Sequence, residues 1–175
     1  FFVSLFGVIG GVVVAGILSY IFTYRMHLNG FLDSDLLASA YLLKNVKIKE
    51  LIPAGVIIGS LGAVMDVAVS ITSSINELHE TDPNMSKKSM FKSAINIGND
   101  IIGTMINTLI LAYIASSIFT LLLIYIQANE YPLIRILNFQ DIAVEIMRSI
   151  CGSIGILIAV PLTAYIGTVI YKKNK

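Results

Sequence analysis

Charge is scarce in this chain of 175 residues: only 13% are Asp, Glu, Lys or Arg, about half of what a soluble domain carries. With 56% hydrophobic residues and a mean hydropathy of +0.83, the deficit excludes an ordinary soluble domain and indicates an integral membrane protein. Cysteine is nearly absent. The single thiol, Cys151, excludes an intrachain disulfide, and its apolar neighbours read it as a packed side chain rather than a reactive one. There are two histidines, His27 and His79, and neither has a second ligand at helical spacing. The apolar stretches hold no Ser/His pair and no metal-ligand cluster, so no metal, no cofactor and no enzymatic activity is expected. A net charge of +1 says nothing about nucleic acid, but no basic stripe interleaved with aromatics occurs, so nucleic acid is not expected as a partner. No basic region precedes the opening apolar stretch and no A-x-A site follows it, so it is read as a spanning helix and not as a signal peptide. A chain that opens on Phe1 is expected to be a segment or a processed product.

What is present is apolar length. Four runs, about 1–24, 51–75, 94–126 and 149–171, each reach the roughly 20 residues that cross a bilayer at about 1.5 Å per residue. The expected fold is therefore all-α: a single transmembrane domain over 1–175, a polytopic bundle of about four helices. Between the first two runs, Leu36, Leu37, Ala40, Tyr41 and Leu43 form a short interfacial helix, capped by Asp33 or Ser34. Pro53 is placed in the first turn of the second span. Ser86 caps the third, and Asn138 with Asp141 has the form of a start for the last. Glu145 and Arg148 are read as a surface pair. In the first run Ser4, Gly7, Gly11, Ala15 and Ser19 share one face, suited to close helix contact. Lys and Arg divide evenly between the two sides, so the positive-inside count is a tie. The dense basic tail favours a cytoplasmic C terminus.

Two polar stripes cross this apolar background. In the second run Gly55, Gly59, Gly62 and Asp66 fall at offsets of four, seven and eleven, and Ser70, Ser73 and Glu77 continue the same face. In the third run Asn96, Asp100, Gly103 and Asn107 repeat those offsets, flanked by Asn99, Thr104 and Thr108. A carboxylate at membrane depth costs at least ~2.5 kcal/mol on insertion scales, so it should face protein or water. The two runs are antiparallel if both cross. Counted from the charged link at 76–92, Asp66 and Asp100 lie at a similar depth. If the two met, one would keep its proton or a cation would sit between them. Asn96, Asn99, Thr104 and Asn107 would supply neutral ligands. Gly55, Gly59, Gly62, Gly103, Gly152 and Gly155 are the expected close-packing positions.

Three signatures occur in order. They are Gly59-Ser60-Leu61-Gly62-Ala63-Val64-Met65-Asp66-Val67-Ala68, then Asn96-Ile97-Gly98-Asn99-Asp100 through Leu109, then Gly152-Ser153-Ile154-Gly155 with Ala159-Val160-Pro161-Leu162-Thr163-Ala164. In these the chain resembles the YibE/F family of bacterial membrane proteins over most of 53–170. The resemblance implies a polytopic protein of the bacterial cytoplasmic membrane that often occurs as paired homologous subunits; it implies no activity. More remotely, Gly62 to Ala68 is similar to the fourth-helix motif of resistance-nodulation-division (RND) transporters. Of that motif's two adjacent aspartates, only the first has a counterpart here, Val67 standing at the second. The run from Ser153 to Leu162 is similar to the last helix of the SecD/SecF translocation subunits. These likenesses imply that the chain is part of, or partner to, a larger membrane protein.

Two functions follow as expectations. One is a membrane transporter or translocation subunit coupled to a proton or cation through Asp66 and Asp100. The other is a structural or assembly protein that docks a homologous subunit, or a second copy of itself, through glycine-rich faces. An intramembrane aspartyl protease would place Gly-x-Gly-Asp around one aspartate. Here the local sequences are Ala63-Val64-Met65-Asp66 and Ile97-Gly98-Asn99-Asp100.

Overall fold

The computed structural model describes residues 2–28, 47–127 and 131–171. Within them the chain forms six helices and no strand: α1 Phe2–Arg25, α2 Ile48–Thr81, α3 Lys87–Ser116, α4 Ile118–Gln127, α5 Leu133–Leu137 and α6 Gln140–Tyr171. Four of these, α1, α2, α3 and α6, are long and apolar enough to cross a membrane. The interfacial helix expected around Leu36–Leu43, with its cap, lies outside the described residues.

Small residues decide how the spans meet. The hydrophobic effect gives little drive between helices in lipid, so contact depends on how closely backbones approach. On α1 the buried positions include Ser4, Gly7, Gly11, Ala15 and Ser19, the small-residue face read from the sequence. A methyl group built on Gly11 would lie 2.8 Å from the Gly155 carbonyl oxygen, and one built on Gly155 would lie 3.0 Å from Ala15 Cβ. Gly7 meets Thr163, and Thr23 Oγ1 lies 3.8 Å from Met147 Sδ. These pairs run in opposite directions, so α1 and α6 are antiparallel. Gly11 also meets Val64, and Gly16 meets Ile57, which makes α2 antiparallel to α1. Gly152 meets Ser60 and Gly167 meets Ile75, so α2 and α6 run parallel.

The three helices α1, α2 and α6 pack mutually, while α3 lies in the groove between α2 and α6 and has no comparable contact with α1. In cross-section the bundle is a rhombus. Its short diagonal joins α2 and α6, with α1 and α3 at the far corners. Gly98 fixes α3 in place: a methyl there would meet Val160 Cγ1 at 2.5 Å and Ile71 Cδ1 at 3.4 Å. The central core contains Val64, Val67, Ile71, Ile75, Met90 and Ile156, each fully buried.

Local signals set the helix ends. Ser86 Oγ accepts from the Ser89 backbone N–H at 3.1 Å, the capping role read from the sequence. The last turn of α1 closes with His27 at φ 52° and a Leu28 N–H to Thr23 carbonyl bond of 3.1 Å, a left-handed C-terminal cap. Three expectations change. Pro53 lies inside α2, because the helix begins at Ile48 rather than next to the proline. Asn138 ends α5 instead of starting α6: its side-chain amide donates to the Ile134 carbonyl at 2.6 Å. The third apolar run is not one rod but two helices, broken at Ser117. There Ser116 Oγ bonds the Tyr113 carbonyl at 3.0 Å, the local competition with the helix ladder that serines bring.

Candidate functional site

Each polar stripe lies diametrically opposite the buried face of its own helix. At 100° per residue, Gly59, Gly62, Asp66, Ser70 and Ser73 fall on the far side of α2 from Val64, Val67 and Ile71. The structure agrees, since all five are exposed while those three are fully buried. On α3 the buried residues are Met90, Ala94, Gly98 and Ile102. Asn96, Asn99, Asp100, Gly103, Thr104 and Asn107 are all exposed. The outer faces of the other two spans differ in kind. Phe6, Ile9, Val13 and Ile17 cover α1, and Ile146, Ile150, Leu157 and Tyr165 cover α6. Those faces suit lipid, whereas the outer faces of α2 and α3 carry carboxylates, amides and glycines.

The depth of the stripes follows from the contact between Ile71 and Gly98. In antiparallel helices each step back along α2 is matched by a step forward along α3. Asp66 is therefore level with Gly103, and Asp100 is level with Val69. The two carboxylates differ in depth by about one turn, ~4.5 Å along the axis. Among the described residues they do not share an enclosed site, since both are exposed and face outward from the α2–α3 flank of the rhombus. Neither carboxylate makes a hydrogen bond or ion pair with the described residues, nor do the side chains of Asn96, Asn99 and Asn107. Thr104 Oγ1 bonds the Ile101 carbonyl at 2.8 Å, so its hydroxyl proton is used within its own helix.

The expected packing glycines divide into two groups. Gly152 and Gly155 are buried at helix crossings: a methyl on Gly152 would lie 2.6 Å from Tyr113 Oη. Among the described residues, a methyl on Gly55 would meet only Arg148, 4.0 Å away, and one on Gly59, Gly62 or Gly103 would meet nothing within 4 Å. The second group is thus left open by the described residues.

A polar pair that the sequence suggested was superficial is partly buried. Arg148 Nη1 donates to Glu145 Oε1 at 2.7 Å, with 30% and 26% of the two side chains exposed. Glu145 Oε2 and Arg148 Nε have no hydrogen-bond partner among the described residues. Tyr113, from the far end of α3, and the early start of α2 cover this end of the bundle, neither of which i,i+3 spacing reveals. Arg148→Met is expected to lower stability by about 2 kcal/mol, because it strands a half-buried carboxylate. Adding Glu145→Gln should recover most of the loss. Cys151 is fully buried and is the sole cysteine, so a thiol-reactive dye that fluoresces on reaching it during heating reads both changes.

Among the described residues no group of three or more His, Cys, Asp or Glu is arranged to hold a metal ion. His79 instead packs its ring on Tyr171, centroids 5.7 Å apart. Four apolar rods around a glycine-lined crossing, with one polar flank, define a multi-pass helical membrane protein. A family model described as YibE/F-like protein matches residues 1–173, and the chain belongs to that family. No curated protein and no solved structure matches it.

Proposed function

We propose that the chain is a subunit of a membrane transporter or translocation complex, coupled to a proton or cation through Asp66 and Asp100. The observation that carries this reading is a pair of carboxylates with no partner among the described residues, one turn apart in depth, on the polar faces of two spanning helices. An ionised carboxylate in low dielectric is costly and its protonated form much less so. Gaining or losing a proton therefore changes what each stripe prefers to face, and with it the position of the helix. A route from water is at hand. A groove of about 460 Å³ beside the α2–α3 turn is lined by Ser73, Ser74, Glu77, Asp82 and Ile97. From it Glu77, Ser73, Ser70 and Asp66 descend along one face at three- and four-residue steps. Asn96, Asn99, Thr104 and Asn107 are the neutral ligands of this reading. The likeness of Gly62–Ala68 to the RND fourth-helix motif supports it by analogy, membership of the YibE/F-like family supports a bacterial cytoplasmic membrane, and the dense basic C-terminal sequence supports a cytoplasmic tail. No catalytic step is assigned.

The test is proton flux into vesicles reconstituted with the protein, read by an enclosed pH-sensitive dye. Asp66→Asn and Asp100→Asn should each reduce the flux at least ~10-fold, in line with the loss of an acid–base group. Full flux in both variants overturns the reading. The open surroundings of Gly59, Gly62 and Gly103 favour a second reading, an assembly subunit that uses these faces for docking. On that reading Gly59→Leu disrupts the complex and Asp66→Asn is mild.

A further inference from the structure

We infer that two copies of this chain pair in the membrane through their polar flanks, α2 of each lying on α3 of the other. The inference needs the helices to span but does not need the carboxylates to carry protons. Copies inserted in the same orientation and related by a two-fold axis along the membrane normal keep every residue at its own depth. The levels within one protomer therefore give the levels across the interface. The flank of the rhombus that carries both stripes then faces its own image, and the axis brings α2 against the partner's α3 twice.

In that register the two stripes are complementary. Counting outward from the Ile71–Gly98 contact, Gly62 is level with Asn107 and Asp66 with Gly103. Ser70 is level with Asn99, beside Asp100, and Ser73 is level with Asn96. Gly62 and Gly103 each stand opposite a larger polar side chain of the other helix, Gly59 is level with Ile110, and each carboxylate lies within one turn of an amide or hydroxyl. The alternatives lack this match. Pairing α2 with α2, or α3 with α3, sets Asp66 against Asp66 or Asp100 against Asp100, and glycine against glycine. Lipid as the occupant would leave two carboxylates and three amides without hydrogen-bonding partners in hydrocarbon. The apolar outer faces of α1 and α6 remain for lipid on the other flanks.

The experiment uses the full chain in membranes. Two differently tagged copies are co-expressed, one carrying Gly62→Cys and the other Asn107→Cys. Cys151 is retained because it is fully buried. Mild oxidation should give a disulfide-linked dimer bearing both tags, well above the yield from a pair of Ile158→Cys copies on the outer face of α6. Independently, Gly103→Leu should lower the dimer fraction at least ~10-fold in single-molecule photobleaching, a tenfold change being about 1.4 kcal/mol. A methyl on Gly103 would meet nothing within 4 Å among the described residues, so the thermal midpoint should hold. No mixed-tag dimer, links between Gly62→Cys copies in place of the mixed pair, or a purely monomeric population overturns the pairing. A dimer that persists while Asp66→Asn and Asp100→Asn keep full proton flux supports the pairing and removes only the coupling reading.

Discussion

Gly11→Leu is expected to yield no stable folded protein, whereas Gly59→Leu, a substitution of the same size one helix away, should leave the thermal midpoint unchanged. Gly11 stands where three spans converge. A Cβ there would lie 2.8 Å from the Gly155 carbonyl oxygen and 2.9 Å from both Ala159 Cβ and Val64 Cγ1. The first of these is backbone and cannot rotate away, so α1 must separate from α6 to admit even a methyl group. Leucine adds three more carbons, and the cost reaches about 3 kcal/mol or more. In lipid no hydrophobic drive compensates for the lost approach. A Cβ on Gly59 would meet nothing within 4 Å among the described residues. Thermal access of a thiol dye to Cys151 measures both variants. Equal midpoints for the two would show that the α1–α6 crossing does not hold the bundle together.

The second large effect separates insertion from function. Asp66→Leu should make the second span insert more favourably by about 3 kcal/mol, the difference between a central aspartate and a leucine on insertion scales. Asp100→Leu should gain less, being nearer the charged link. The folded protomer should be as stable as before, since neither carboxylate has a partner among the described residues. Proton flux should be lost in the same variants. A glycosylation-reporter insertion assay gives the first quantity and vesicle flux the second. Unchanged insertion of the Asp66→Leu span would mean that this side chain stays hydrated as the helix enters the bilayer.

The legible parts of the fold were those with a strong compositional signature. Hydropathy alone marks the four spans, and the Ser4–Ser19 face of α1 names its own packing side because glycine, alanine and serine leave room for a backbone. Ser86 is legible as a cap by the same local chemistry. The stripes of α2 and α3 were legible as stripes, but not in direction. In water a polar face points outward and an apolar one inward; in lipid the core-facing and lipid-facing sides are both apolar, and a polar stripe can face either its own bundle or a partner outside it. Only the contacts of Val64, Val67 and Ile71 on one helix, and of Gly98 on the other, fix which way Asp66 and Asp100 look. Other features depend on partners distant in the chain. Tyr113 covers the Glu145–Arg148 pair from a separate helix, and the break at Ser117 interrupts a run whose hydropathy continues across it.

That break bears on how the protein sits in bilayers of different thickness. From Lys87 to Gln127 the two helices together would measure ~60 Å end to end, about twice the hydrocarbon depth. The ten-residue segment Ile118–Gln127 packs against little besides α3 and exposes Phe119 and Tyr125 by 78% each. A segment so attached can recline along the headgroups where the membrane is thin and stand more upright where it is thick. Mismatch is then absorbed at Ser117, and the rhombus of packed spans need not tilt.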